Sequence, residues 1–370
     1  MKRSLLFALI LLSCNKDTPT PATETRTFYL GFTPFPYEAT LAAVEYSYLK
    51  IGQDADIINH HFDNQVPWVE AEKNSPFHAN IINDWAYRKA NTPVGHKKYL
   101  SVGSLNLLRN GLADYRAEKE DMLLPAPWNT YKFSDQPVKA AYLNYCKRIV
   151  DFFKPDYFNM AIEANLLYYN RPDLWNDYMV FHQYVYTQLK LTYPTLTLFS
   201  SVTGIQMIDG ALTGNDYLKQ REAAKQVLAF SDLYGLSFYA YLSNYLGNPY
   251  PAGIFKELFS LSDKPLAVAE TGYTAQTFTI EAQPGAFVTI NSDADKQEKY
   301  FRDLFEACTE RKALFVINFV VRDYDQLWKS VGSPTDLAIA WRDTGLYDEN
   351  GNARKAYDTW KLYLARPYKN

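Results

Sequence analysis

Cysteine is scarce, with three in 370 residues. Cys146 and Cys308 each fall in a helical pattern, YLNYCKRIVDFF and LFEACTER, and no spacing pairs them. A disulfide framework is therefore not expected, and both read as buried free thiols. Histidine is scarce too, at five, and no His/Cys spacing fits zinc, so neither a metal nor a cofactor is expected. Charge of one sign is missing. Lys and Arg total 38 against 41 Asp and Glu, a net −3, so there is no basic field to draw in nucleic acid. The N-terminal apolar run Leu5–Leu12 is too short to span a bilayer. No Gly-rich phosphate-binding turn follows the first strand candidate, which argues against an open doubly wound sheet. No second domain and no short repeat are visible.

The composition is that of a globular chain, 47% hydrophobic and 21% charged. Aromatics reach 16%, with 30 Tyr and 7 Trp, a supply of flat rings of the kind that cover sugar rings. At the N-terminus, MKRSLLFALILLSC places Lys2 and Arg3 before a short apolar run ending in Leu-Leu-Ser-Cys. This resembles the lipobox of bacterial lipoproteins. The resemblance implies a signal peptide over 1–13, cleavage before Cys14, and lipidation of that thiol. The protein would then be held at a membrane of the bacterial envelope, the outer membrane or cell surface. Residues 14–26, with NKDTPTPATETR, read as a flexible tether, and 27–370 as one domain, expected to be monomeric.

Beyond the tether, short apolar runs alternate with longer amphipathic ones. The strand candidates are TFYLGF (27–32), ADIINHHF (55–62), KYLSVG (98–103), DYFNMAIE (156–163), LTLFSS (196–201), LYGLSFY (233–239), LAVAE (266–270) and LFVINF (314–319). Helical patterns separate most of them: 37–52, 138–153, 174–193, 216–230, 254–262, 293–312 and 354–364. Eight strands alternating with helices predict a parallel sheet closed into a (β/α)8 TIM barrel. Residues 104–137 and 274–292 fit neither pattern and read as insertions on the C-terminal face. The second alternates like a β-hairpin around Gln-Pro-Gly.

Barrel chemistry is expected at the C-terminal ends of strands. Strand two ends in His60, His61 and Asp63. Strand four ends in Glu163, followed by Asn165. Strand six ends in Tyr239 and Tyr241, and strand seven in Glu270. Strand eight ends in Asn318 and Phe319, followed by Arg322, Asp323 and Trp328. Each glutamate closes an apolar run with no other charge in it, FNMAIE and PLAVAE. Alternation puts Glu163, Ala161 and Asn159 on one side of the fourth strand and Ile162, Met160 and Phe158 on the helix side. Two carboxylates at one mouth suit glycoside hydrolysis, one protonated to donate and one ionised to attack or to activate water. His60 and His61 diverge on a strand, so at most one faces the site. His61, Asp63, Asn165, Arg322 and Trp328 are candidate substrate contacts, with Trp68, Asn106 and Asp323 behind them. Trp128 and Trp328 read equally well as sugar platforms or loop anchors.

The pairing of Glu163 and Glu270 at strands four and seven resembles glycoside hydrolase clan A. DLYGLSFYAY (232–241) and KPLAVAETGY (264–273) look most like family 53, the arabinogalactan endo-β-1,4-galactanases. The tail GLYDENGNARKAYDTW is similar to C-terminal segments of clan A enzymes. The resemblance implies that Glu163 is the acid/base, that Glu270 is the nucleophile oriented by Tyr239, and that hydrolysis of a poly- or oligosaccharide retains configuration. Three stretches depart from the pattern. Ile162 stands where the clan usually has an Asn that contacts the 2-hydroxyl. INFVVRDYD lacks the usual Trp floor after strand eight, leaving Phe319 or Trp328 to substitute. GFTPFPYEAT has no galactanase counterpart. A barrel that binds glycan without cleaving it is the alternative, and a metal-dependent hydrolase is a weaker third reading.

Overall fold

The structure, a computed structural model, describes residues 24–63 and 65–369. The lipobox, Cys14 and most of the tether lie outside the described residues.

Eight parallel staves form the barrel: β1 (Tyr29–Phe32), β2 (Ile57–Phe62), β3 (Lys97–Val102), β4 (Tyr157–Asn159), β5 in two pieces (Thr197–Phe199 and Ser201–Thr203), β6 (Tyr234–Phe238), β7 (Leu266–Thr271) and β8 (Phe315–Asn318). The first piece of β5 pairs with β4 and the second with β6, while β8 pairs with both β7 and β1, so the ring closes. One principal helix follows each stave: α1 (Leu41–Asp54), α2 (Ala79–Asn91), α3 (Gln136–Phe153), α4 (Trp175–Thr192), α5 (Tyr217–Ala229), α6 (Ile254–Phe259), α7 (Ala294–Arg311) and α8 (Lys355–Ala365). This is the predicted (β/α)8 barrel.

Strand alternation divides the apolar residues between two cores. Ile57, Tyr99, Phe199, Ala267, Phe315 and Ile317 fill the barrel interior. The Phe315 ring lies 5.0 Å from that of Tyr99 and 4.9 Å from that of Tyr157. Gly235 makes room for this packing, because a Cβ there would fall 2.7 Å from the Phe199 ring. The alternate residues face the helices. α7 illustrates how they are met. Asp293 caps it by accepting from the Lys296 amide at 2.9 Å, and Tyr300, Phe301, Leu304, Phe305 and Cys308 form its buried stripe. Each such large side chain contributes about 1.5–3 kcal/mol by burial. Cys146 and Cys308 are buried free thiols on α3 and α7.

Two differences from the sequence reading bear on the site. α2 lies between β2 and β3, where the sequence offered no helical pattern; Ile81 and Trp85 are its buried residues. The fourth strand stops at Asn159, four residues short of Glu163. Met160 to Ala164 instead form a buried turn that rides on β5, with the Met160 amide on the Phe199 carbonyl (2.8 Å) and the Ala164 amide on the Ser201 carbonyl (3.0 Å).

The insertion after β7 is the predicted hairpin, Phe278–Gln283 paired with Ala286–Ile290. The insertion after β3 holds a short strand, Asp114–Tyr115, beside Gln65–Val66. At the opposite end of the barrel the two ends of the described chain meet. The Arg26 amide donates to the Pro367 carbonyl at 3.1 Å, and the Lys369 amide to the Arg26 carbonyl at 2.9 Å. Arg26 also pairs with Asp56, and Tyr29 stacks on Tyr368 with centroids 4.3 Å apart.

Candidate active site

The C-terminal ends of the staves open into a cleft of about 810 Å³. Glu163 and Glu270 both line it, with side chains 17% and 19% exposed. Each arrives by an irregularity, not by plain alternation. Glu163 sits in the turn after β4 at φ +51°, a left-handed conformation that costs a non-glycine residue roughly 1 kcal/mol or more. The turn is fixed by the Glu163 amide, which donates to Ser201 Oγ at 3.0 Å. Glu270 follows a β-bulge. The β7–β6 register runs Val268 to Leu236 and then Glu270 to Ser237, so Ala269 is left over. Ala267 and Ala269 face the barrel interior, and strict alternation would turn Glu270 outward. The extra residue aims it at the cleft instead.

Polar groups fix both carboxyls. Ser237 Oγ donates to Glu163 Oε1 at 2.7 Å, and Arg109 Nη2 reaches Glu163 Oε2 at 3.3 Å. The same Arg109 nitrogen donates to Asp63 Oδ2 at 2.6 Å. Tyr239 OH donates to Glu270 Oε1 at 2.7 Å, the contact implied by the clan resemblance. His61 Nδ1 stands 3.8 Å from Glu270 Oε2 and 3.0 Å from Ser101 Oγ. Burial lowers the pKa of His61, so near neutral pH it is an uncharged polar neighbour of Glu270. Glu270 itself is pushed up, to about 8, first by burial and then by the negative charge of Glu163.

Of the two strand-two histidines, His61 faces the site and His60 does not. His60 is buried against Phe153 with Nε2 on Thr92 Oγ1 at 2.8 Å. Asp63 lines the cleft as expected. Three expected contacts do not reach it. Asn165 is fully buried, accepting from the Thr203 amide at 2.8 Å and donating to the Thr203 carbonyl at 3.2 Å, so it ties the β4 turn to β5. Arg322 lies over the Tyr37 ring at 3.7 Å and donates to the Glu349 carbonyl. Trp328 donates its indole N–H to the Pro334 carbonyl and stacks under Arg342. Asp323 is buried on Arg354, Trp68 and Trp128 stack on each other in the core, and Asn106 braces its own loop through Asn110. Ile162 points inward, not to the helices. It shares the floor of the cleft with Tyr99, Asn159, Ala269 and both glutamates.

Sequence reasoning missed Arg109, Ser237 and Trp341. Ser237 was findable, since it alternates with Gly235 and Tyr239 on one strand face. Arg109 and Trp341 sit in long loops without periodicity. Trp341 supplies the cleft aromatic that Trp328 does not, edge-on to Tyr239 at 5.9 Å, and its buried indole N–H has no partner. Among the described residues, one acidic cluster has the spacing of a metal site, Asp323, Asp325 and Glu349. Arg354 and Arg342 already neutralise two of its members, and none of the three lines the cleft.

No family model and no curated protein matches the chain. Solved structures do match it in fold. The GH5_18 protein of Bifidobacterium longum subsp. longum superposes with a TM-score of 0.61 at 16% identity, over 93% of this chain and 81% of that one. The exo-β-1,4-mannosidase Op5Man5 of an Opitutaceae bacterium gives 0.61 at 13% identity, over 92% and 60%. Xylanase 10B of Thermotoga maritima gives 0.55 at 13% identity, over 91% and 95%. At such identities the likeness is one of fold, and this chain is similar to (β/α)8 barrels that carry glycosidase names.

Proposed function

We propose that the protein is a retaining β-glycosidase with Glu163 as acid/base and Glu270 as nucleophile. The observation that carries this reading is the convergence of two carboxyls, from the ends of β4 and β7, on one cleft where their charges interact. In the first step Glu270 attacks the anomeric carbon and the glycosidic C–O bond breaks. The leaving oxygen takes its proton from Glu163, and the sugar remains as an ester on Glu270. In the second step water attacks that carbon, returns a proton to Glu163, and releases the sugar and the Glu270 carboxylate. Tyr239 and His61 hold Glu270 in line. One proton shared by the two carboxyls is the charge state this cycle needs. In the empty site burial and the charge of Glu163 oppose ionisation of Glu270, so substrate binding has to bring about its ionisation.

Support from fold is at the level of glycoside hydrolase clan A. The narrower likeness to family 53 galactanases rests on the β6 and β7 motifs alone. Substitution Glu270→Ala tests the mechanism. Turnover of an aryl β-glycoside falls by several orders of magnitude, and added azide restores it with an inverted glycosyl azide as product. Undiminished hydrolysis by the variant overturns the nucleophile assignment. Ile162 favours the second reading, a barrel that binds glycan without cleaving it, because it offers no hydrogen bond where the clan's Asn would. Hydrolysis of any glycan that is lost in Glu163→Gln excludes that alternative. We also infer attachment to an envelope membrane through lipidated Cys14, on the strength of the lipobox.

A further inference from the structure

Two chambers share His61, Asp63, Leu107 and Phe319, and their walls differ in chemistry. The first, of about 430 Å³, lies over the ends of β1 and β2 and mixes charged and apolar groups, with Arg88, Arg116 and Glu120 beside Phe35 and Phe62. The second is the larger cleft, which contains Glu163 and Glu270. Its outer wall comes from the loops after β3, β4, β5 and β6, and it is mainly aliphatic, with Leu107, Leu108, Leu166, Ile205, Leu212 and Leu242 outnumbering Tyr169, Asn170 and Gln206. Leu107 and Leu108 are each 62% exposed. Sugars are covered by flat rings and hydrogen-bonded at their rims. Six branched aliphatic side chains offer neither. An exposed apolar wall in a pocket is stabilised when a ligand covers it.

The position of this wall assigns its occupant. Arg109, which contacts Glu163, directly follows Leu107 and Leu108, and Leu166 lies one helical turn beyond Glu163. The acid stands on the side of the leaving group, because it must protonate the leaving oxygen. We propose that the glycoside cleaved here carries an apolar leaving group, an alkyl or aryl alcohol that packs against the leucine wall, while the sugar lies on the side of the cleft that holds Glu270, His61 and Asp63. This rests on Glu163 being the acid, and it goes further by naming the substrate class.

The test compares methyl, hexyl and 2-phenylethyl β-glycosides of glucose, galactose and mannose. Their leaving alcohols are similarly acidic, so differences in kcat/KM report contacts, not bond reactivity. For whichever sugar is turned over, each methylene that the wall covers raises kcat/KM about fourfold, or about sixtyfold for three. A hexyl advantage indicates a flexible chain, as in a glycolipid. A 2-phenylethyl advantage indicates a flat aglycone, and either supports the inference. In the double variant Leu108→Ser, Leu212→Ser the hexyl-to-methyl ratio falls toward one. Equal kcat/KM for methyl and hexyl substrates overturns the inference, as does faster cleavage of the matching disaccharide. If the hexyl preference survives in Glu163→Gln at full rate, the acid assignment fails and the leaving-group inference stands. If nothing is hydrolysed, calorimetric titration of the native protein with hexyl and methyl glycosides decides it, and equal or undetectable binding overturns it.

Discussion

Glu270 is a carboxyl whose surroundings oppose its charge. Unfolded, it ionises near the ordinary 4.5, whereas in the folded protein it holds its proton to about 8. A raised carboxyl pKa contributes stability at low pH, below about 4.5, and that contribution is lost as pH climbs to 8. Glu270→Gln cannot ionise and escapes this loss. Melting curves of the two proteins should coincide near pH 4 and diverge above it, with the variant ahead by on the order of 5 kcal/mol at pH 9. Parallel pH dependences would show that the Glu270 carboxyl titrates normally. Arg109 works in the opposite sense, since its charge lowers the same pKa and neutralises Asp63 and Glu163 together.

The elements that deliver the two glutamates are both irregular, since β4 stops four residues short of Glu163 and β7 carries one extra residue before Glu270. Deleting Ala269 removes the bulge but leaves Glu270 opposite Ser237, where plain alternation now points its carboxyl at the cleft. The barrel should still form, with unchanged far-ultraviolet dichroism, and glycosidase activity should stay within about tenfold. A larger loss would mean that the bulge sets more than the side of the strand on which Glu270 lies. The same two places mark the limit of what the sequence discloses. All eight staves were legible, because buried strands must be apolar and their flanks carry Pro, Asp and Gly. The end of β4 was not, since FNMAIE stays apolar through a turn as buried as the strand before it. Both glutamates were found for the right reason, a lone charge in an apolar run, but through a regular geometry that neither has. Asn165, Arg322 and Trp328 were misplaced because nearness to a strand end in sequence does not give the direction of a side chain. Arg109 and Trp341 were invisible, because a loop residue acquires its partners only from tertiary structure.

The whole molecule has an open end and a closed end. The cleft takes up the first, and the second holds the paired ends of the described chain, where Arg26 joins Pro367 and Lys369. Cys14→Ser should move the protein from the membrane fraction to the soluble fraction with kcat/KM intact, and a variant that stays with the membrane would sink the lipid assignment. Fully extended, residues 15–25 reach at most about 40 Å. On the proposed lipid anchor, the barrel is a cup joined to its stalk at the foot. Its rim lies at the other end from the join, so molecules arriving from the surroundings reach the cleft without passing the stalk. For the same reason, a bead or chip coupled through the C-terminus holds the cup upright and leaves its rim clear.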